Sequence, residues 1–158
     1  MVRELKNMPA EGHFERGRVD VTTGAVWIYV SRAMAHGHPM GRLNWVLYLI
    51  IGYFAAGAAV KLSVWGQGGP ALMFWGAILG IMTAIGLALR VPWALILAVA
   101  QAGLSVAFLA FSLTAGGSLA TLAEAVVGIL IVMYLIDGQR PNLAYRYRYR
   151  SYQGEAEE

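Results

Sequence analysis

Residues 43–64 read LNWVLYLIIGYFAAGAAVKLSV, a run of 22 positions whose only formal charge, Lys61, stands three places from its end. A helix rises about 1.5 Å per residue and the hydrocarbon core of a bilayer is about 30 Å thick, so roughly 20 such residues cross it. Three more runs of this kind follow: Ala71–Leu89, Pro92–Leu113 and Leu119–Ile136. The four take up about half of the 158 residues. The expected fold is an all-α integral membrane protein. Residues 41–137 form an antiparallel bundle of four transmembrane helices. Residues 1–40 precede it, and a basic, aromatic tail, 138–158, follows.

Composition agrees. Hydrophobic residues make up 58% of the chain and charged residues 13%, against about 25% charged in a soluble domain. With no cysteine, disulfides and thiolate metal sites are excluded. The first forty residues hold no apolar core followed by a small-residue cleavage site, so the first span is expected to act as the insertion signal.

Charge placement sets the expected orientation. Six of the twelve Lys and Arg precede the first span, Arg90 lies in the second turn, and four Arg follow the last span. Only Lys61 belongs to the opposite side. With four crossings, eleven of the twelve share one side, which the positive-inside rule makes cytoplasmic. Both termini are therefore expected in the cytoplasm, with the chain in an inner membrane. The turns at 65–70 and 114–118 carry no formal charge. Gly and Pro mark the first and paired Gly the second. Ser118 is a candidate cap for the fourth helix, and Pro92 suits the first turn of the third. Trp45, Trp65 and Trp93 fall where an aromatic belt belongs.

Helices in lipid gain little from burial against one another and associate through close packing of small residues. Gly76, Gly80 and Ala84 on the second span are the expected packing face. Two further series are Ala94, Ala98 and Ala102 on the third span, and Gly52, Ala56 and Ala59 on the first. Gln101, near the middle of the third span, is expected to bond across to another helix, with Thr83 as the partner in reach. Lys61 and Glu124 are the two ionisable groups inside the spans. An ionisable group near the centre of a spanning helix costs at least ~2.5–3.5 kcal/mol, so each needs a reason to be there. Their depths match, which leaves three readings: snorkelling to the outer boundary, a structural ion pair, or a functional carboxylate. Asp137 is expected to pair with Arg140 or meet solvent.

The flanks carry two further patterns. Residues 25–35 place Val26, Trp27, Val30 and Met34 on one arc of a helical wheel, with Ile28 and Tyr29 off it. They are expected to form a short interfacial helix, anchored by Trp27 with Arg32 at the headgroups. In the tail, Arg140, Tyr145, Arg146, Tyr147, Arg148, Tyr149 and Arg150 alternate at period two from Tyr145 onward. An extended segment there presents a Tyr face and an Arg face, suited to anionic lipid headgroups or to a strand added to a partner. Nucleic-acid binding is not expected, and the acidic end, residues 154–158, is expected to be disordered.

Enzyme chemistry finds little support. No histidine lies within the four runs, so axial ligation of a membrane haem is absent. His36 and His38 lack neighbouring carboxylates, and no Ser/His/Asp or H-E-x-x-H arrangement is visible. No catalytic residue, metal site or cofactor is expected. Two functions fit: a non-enzymatic subunit or assembly factor of a larger inner-membrane complex, docked on other membrane proteins, or a small oligomeric transporter or channel using Glu124, Lys61 and Gln101. Placement discriminates between them. A transporter gathers these groups around one cavity, whereas a subunit turns them into satisfied contacts.

Overall fold

The structure, a computed structural model, describes residues 15–19, 24–114 and 119–152. Ser118, the turn around it and the acidic end at 154–158 lie outside or largely outside these residues. The chain divides into two compact units. One joins residues 1–43 to residues 137–158, and the other is residues 44–136.

The second unit is helical: α2 (Trp45–Gly66), α3 (Ala71–Ala88), α4 (Pro92–Thr114) and α5 (Leu119–Asp137). Asn44 caps α2, its Oδ1 accepting from the Leu47 amide at 3.1 Å. The turn into α3 depends on glycine. Gly68 has φ +90°, and a Cβ on Gly69 would meet the Val64 carbonyl oxygen at 2.6 Å, so only hydrogen fits. The α3 end closes with Val91 N–H donating to the Gly86 carbonyl at 2.9 Å, and Pro92 opens α4 with φ already set. By length and composition α2 and α3 are each able to cross a membrane. The helical residues 121–137 and α6, described below, pass the same test together but meet at a 66° bend.

Small residues set the helix packing. A Cβ on Gly80 would stand 3.1 Å from the Ala58 Cβ and 3.3 Å from the Phe54 carbonyl oxygen, and one on Gly86 2.6 Å from the Ala94 Cβ. Ala84, Ala94, Ala98 and Ala102 are buried. A Cβ on Gly128 of α5 would meet the Ala102 carbonyl oxygen at 2.8 Å, so α5 rests on α4 there. The small residues of α3 and α4 are thus used within the chain, whereas Gly52, Ala56 and Ala59 of α2 are exposed and a Cβ on Gly52 would meet nothing within 4 Å. Gly80→Val is expected to lower stability by about 1–3 kcal/mol, because neither the Ala58 backbone nor the Phe54 carbonyl can yield. Thermal unfolding in mild detergent measures this, and an unchanged midpoint would contradict the packing.

The first unit corrects the all-α expectation. It holds β1 (Glu15–Val19), β2 (Ala25–Tyr29), α1 (Arg32–Gly37), a 3₁₀ turn at Pro39–Gly41, α6 (Gln139–Arg146) and β3 (Arg148–Tyr152). The strands form one antiparallel sheet in the order β1-β2-β3, with Trp27 opposite Arg150 and Tyr29 opposite Arg148. The interfacial helix expected at 25–35 is therefore not formed. Residues 25–29 are a strand, and helix begins only at Arg32. Val26 and Ile28 are buried while Tyr29 is exposed and Trp27 half-buried, which is a period of two. A β-branched and aromatic run, Val-Trp-Ile-Tyr-Val, has little helix preference and fits a half-buried strand. Ile28, Val30, Met34, Ala35, Leu143 and Tyr149 form the core of this unit.

Candidate intramembrane polar site

Four helices contribute to one cavity of roughly 570 Å³. Tyr53, Gly57 and Lys61 come from α2, Gly80 from α3, Gln101 and Ser105 from α4, and Glu124 from α5. The volume suits a small-molecule pocket. Most of the wall is apolar, with a few polar groups converging on it.

Lys61 owes its pose to two glycines. Its stem lies across Gly76 of α3, with Cδ 3.2 Å and Cε 3.6 Å from where a Cβ would be, and its Nζ lies 3.7 Å from the equivalent point on Gly57. A helical side chain leans toward the helix N-terminus, and the bare backbone at Gly57 and Gly76 leaves room for this one to do so fully. The ammonium is thus aimed back along α2 toward its middle. The charge lies about one turn back along α2 from its own Cα, beside Gly57. Among the described residues, Lys61 makes no hydrogen bond and no ion pair. The structural Lys61–Glu124 bridge is likewise not formed, although both groups line the same cavity.

Glu124 is exposed on the α5 wall and accepts a long hydrogen bond, 3.4 Å, from the Ser105 hydroxyl. Tyr53 is placed to feel both Glu124 and Ser105. The Gln101 amide donates to the Thr83 hydroxyl and, at 3.4 Å, to the Leu79 carbonyl. Thr83 is fully buried and donates to Leu79 O at 2.8 Å. Gln101 is therefore fixed by α3 at the same time as it lines the cavity. Tyr53 and Ser105 carried no charge or motif to single them out in the sequence. Only the convergence of their helices marks them.

No family model, no curated protein and no solved structure matches this chain.

Most of the tail and flank residues expected at headgroups or a partner form contacts within the first unit. Tyr145 is 0% exposed and Tyr149 4%, which removes both from any headgroup contact. In β3, Tyr149 stands on the face opposite Arg148 and Arg150, and the strand pairs with β2 of the same chain. The Arg148 and Arg150 guanidiniums lie 4.2 and 4.7 Å from the Trp27 ring centroid, so Trp27 is a stacking platform for two cations. Arg150 also pairs with Asp137 at 2.8 Å, which replaces the expected Arg140 partner. Arg146 donates to the buried Asn142 Oδ1 at 3.3 Å. Partial burial, and then the neighbouring Arg148 charge, hold its pKa below the ordinary guanidinium value. Tyr147 stacks edge-on to His36. Arg32 is exposed and Arg140 half-buried.

Asn142 is the residue the sequence reading missed. Its Nδ2 donates to the Gly138 carbonyl at 2.9 Å, and its Oδ1 accepts from both Arg146 and Arg148 at 3.3 Å. One amide thereby ties both ends of α6 to β3. The two histidines also serve structure. His36 Nε2 is 3.3 Å from the Ala144 carbonyl, and His38 Nδ1 accepts from the Met40 amide at 3.1 Å.

Proposed function

We propose that the chain is a small four-span membrane carrier whose substrate site is the cavity holding Lys61, Gln101 and Glu124. One observation carries this reading: the Lys61 ammonium, without a partner among the described residues, turns into the same cavity that Glu124 and Gln101 line. An intramembrane charge left unsatisfied is costly and is kept where it meets a substrate. A subunit of a larger complex would be expected to satisfy these groups in contacts instead.

The sheet supports an even number of crossings. Strands β2 and β3 hydrogen-bond to each other, so residues 25–29 and 148–152 belong on one side of a membrane, which favours two or four crossings over three. With α2 and α3 crossing, α4 at 23 residues and α5 at 19 are long enough to supply the second pair. The positive-inside rule then puts both ends in the cytoplasm.

The natural absence of cysteine makes the test free of background. A single cysteine at Ala123, which lines the cavity, is reconstituted in vesicles and exposed to a membrane-impermeant thiol reagent on each side in turn. A carrier site is expected to label from both sides. A correctly folded variant that labels from neither is a sealed structural core, and the reading fails.

A further inference from the structure

The polar cavity does not end at Tyr53 and Val127. Both residues also line a second cavity of roughly 380 Å³, walled by apolar side chains of α2 and α5 that include Leu49, Ile50, Leu130 and Ile131. The two adjoin there and follow one another along α2 and α5 as an open groove. Near its far end the Tyr134 hydroxyl donates to Asn44 Oδ1 at 3.3 Å. From Lys61 back to Val46 the groove follows about 15 residues of α2, or ~22 Å, more than half of the hydrocarbon core. At one end stand a cation and a carboxylate on facing helices, and the rest is apolar.

From this juxtaposition we infer that the groove takes a zwitterionic amphiphile of the phosphoethanolamine lipid class. The phosphate meets Lys61, the primary ammonium meets Glu124, and an acyl chain lies along α2 and α5. This rests on reading the cavity as a substrate site and names its occupant. Charge complementarity selects the head. A ligand of single charge would leave either the ammonium or the carboxylate unpaired in a low-dielectric site, which costs more than the contact it makes returns. An anionic lipid offers Glu124 nothing but repulsion. A primary ammonium offers N–H donors to Glu124 and its neighbours Tyr53 and Ser105. The apolar half selects the tail, because a water-soluble zwitterion would leave that length of groove unfilled. Access is lateral: Leu49 and Leu130, on the two walls, are 62% and 61% exposed.

The test uses the full chain in nanodiscs of equimolar phosphatidylethanolamine and phosphatidylglycerol with identical acyl chains, and native mass spectrometry of the lipid retained on release. The wild-type chain is expected to retain the ethanolamine lipid about tenfold over the glycerol lipid. Glu124→Gln is expected to bring that preference to parity, and Lys61→Gln to lower retention of both. Leu49→Trp, at an exposed position that leaves both charges in place, is expected to lower retention by obstructing the tail. Free phosphoethanolamine in excess is expected not to displace the lipid. Retention in the mixing ratio by the wild type, or full retention by a folded Leu49→Trp, overturns the assignment. If Ala123→Cys labels from both sides yet no lipid preference exists, the carrier reading stands and this occupant falls. If the preference is present but the cavity is closed to the reagent from both sides, the occupant stands and the carrier reading falls.

Discussion

Lys61→Met is expected to stabilise the protein and at the same time lower the lipid retention proposed above. Methionine keeps the unbranched stem that lies across Gly76 and removes only the ammonium. That ammonium has no partner among the described residues. On the insertion scale a lysine at the centre of a spanning helix costs roughly 2.5–3.5 kcal/mol. Lys61 is off-centre, so the expected gain is about 1–2 kcal/mol. Thermal unfolding in mild detergent reads the gain, and the lipid-retention measurement reads the loss. A structural lysine would give the opposite result, with stability falling and binding unaffected. That opposition makes the variant more informative than a loss-of-function substitution alone, since it separates strain kept for function from strain the fold tolerates.

Gly41→Ala is expected to be the most damaging single added methyl group among the described glycines. A Cβ there would fall 1.7 Å from the Ala35 carbonyl oxygen and 2.8 Å from its carbon. Both are backbone atoms of α1, so no rotamer change relieves the clash. The 3₁₀ turn must separate from the helix, taking with it the fully buried Ala35 and Met34. The expected loss is about 3 kcal/mol or more, at the upper end of overpacking effects. The damage should stay local. Limited proteolysis is expected to cut within residues 25–43 and 139–152 while α2 to α5 stay resistant. Unchanged protease resistance of the terminal unit would show that the turn is not packed as described.

The two substitutions probe the two units, and the units differ in how far the sequence foretold them. The apolar runs were legible because a bilayer imposes one simple demand, length times hydrophobicity, that every residue of a span meets locally. Turn glycines were legible for a similar reason: Gly68 and Gly69 stand where the backbone permits no side chain. Residues 25–29 were misread because five positions are too few to separate a period of two from 3.6. Ile28 and Tyr29, off the helical arc, were the signal against the helix. The alternating Tyr and Arg of the tail announced an extended segment, which holds from Arg148 onward, while Tyr145 and Arg146 belong to α6. They could not say that its partner was β2, more than a hundred residues earlier in the same chain.

The sequence by itself determined that this chain carries long apolar helices joined by glycine-rich turns, with its positive charge gathered at the ends. Each of these is a local property, written in consecutive residues. The tertiary structure alone decided that the two ends pair into one sheet, that Tyr145 and Asn142 are core residues, and that Lys61 turns inward over Gly57 to share a cavity with Gln101 and Glu124. These depend on which helix faces which and on where a neighbouring backbone leaves room. Spacing along a chain does not encode that, because the missing side chains of Gly57 and Gly76 matter only once α2 and α3 are side by side.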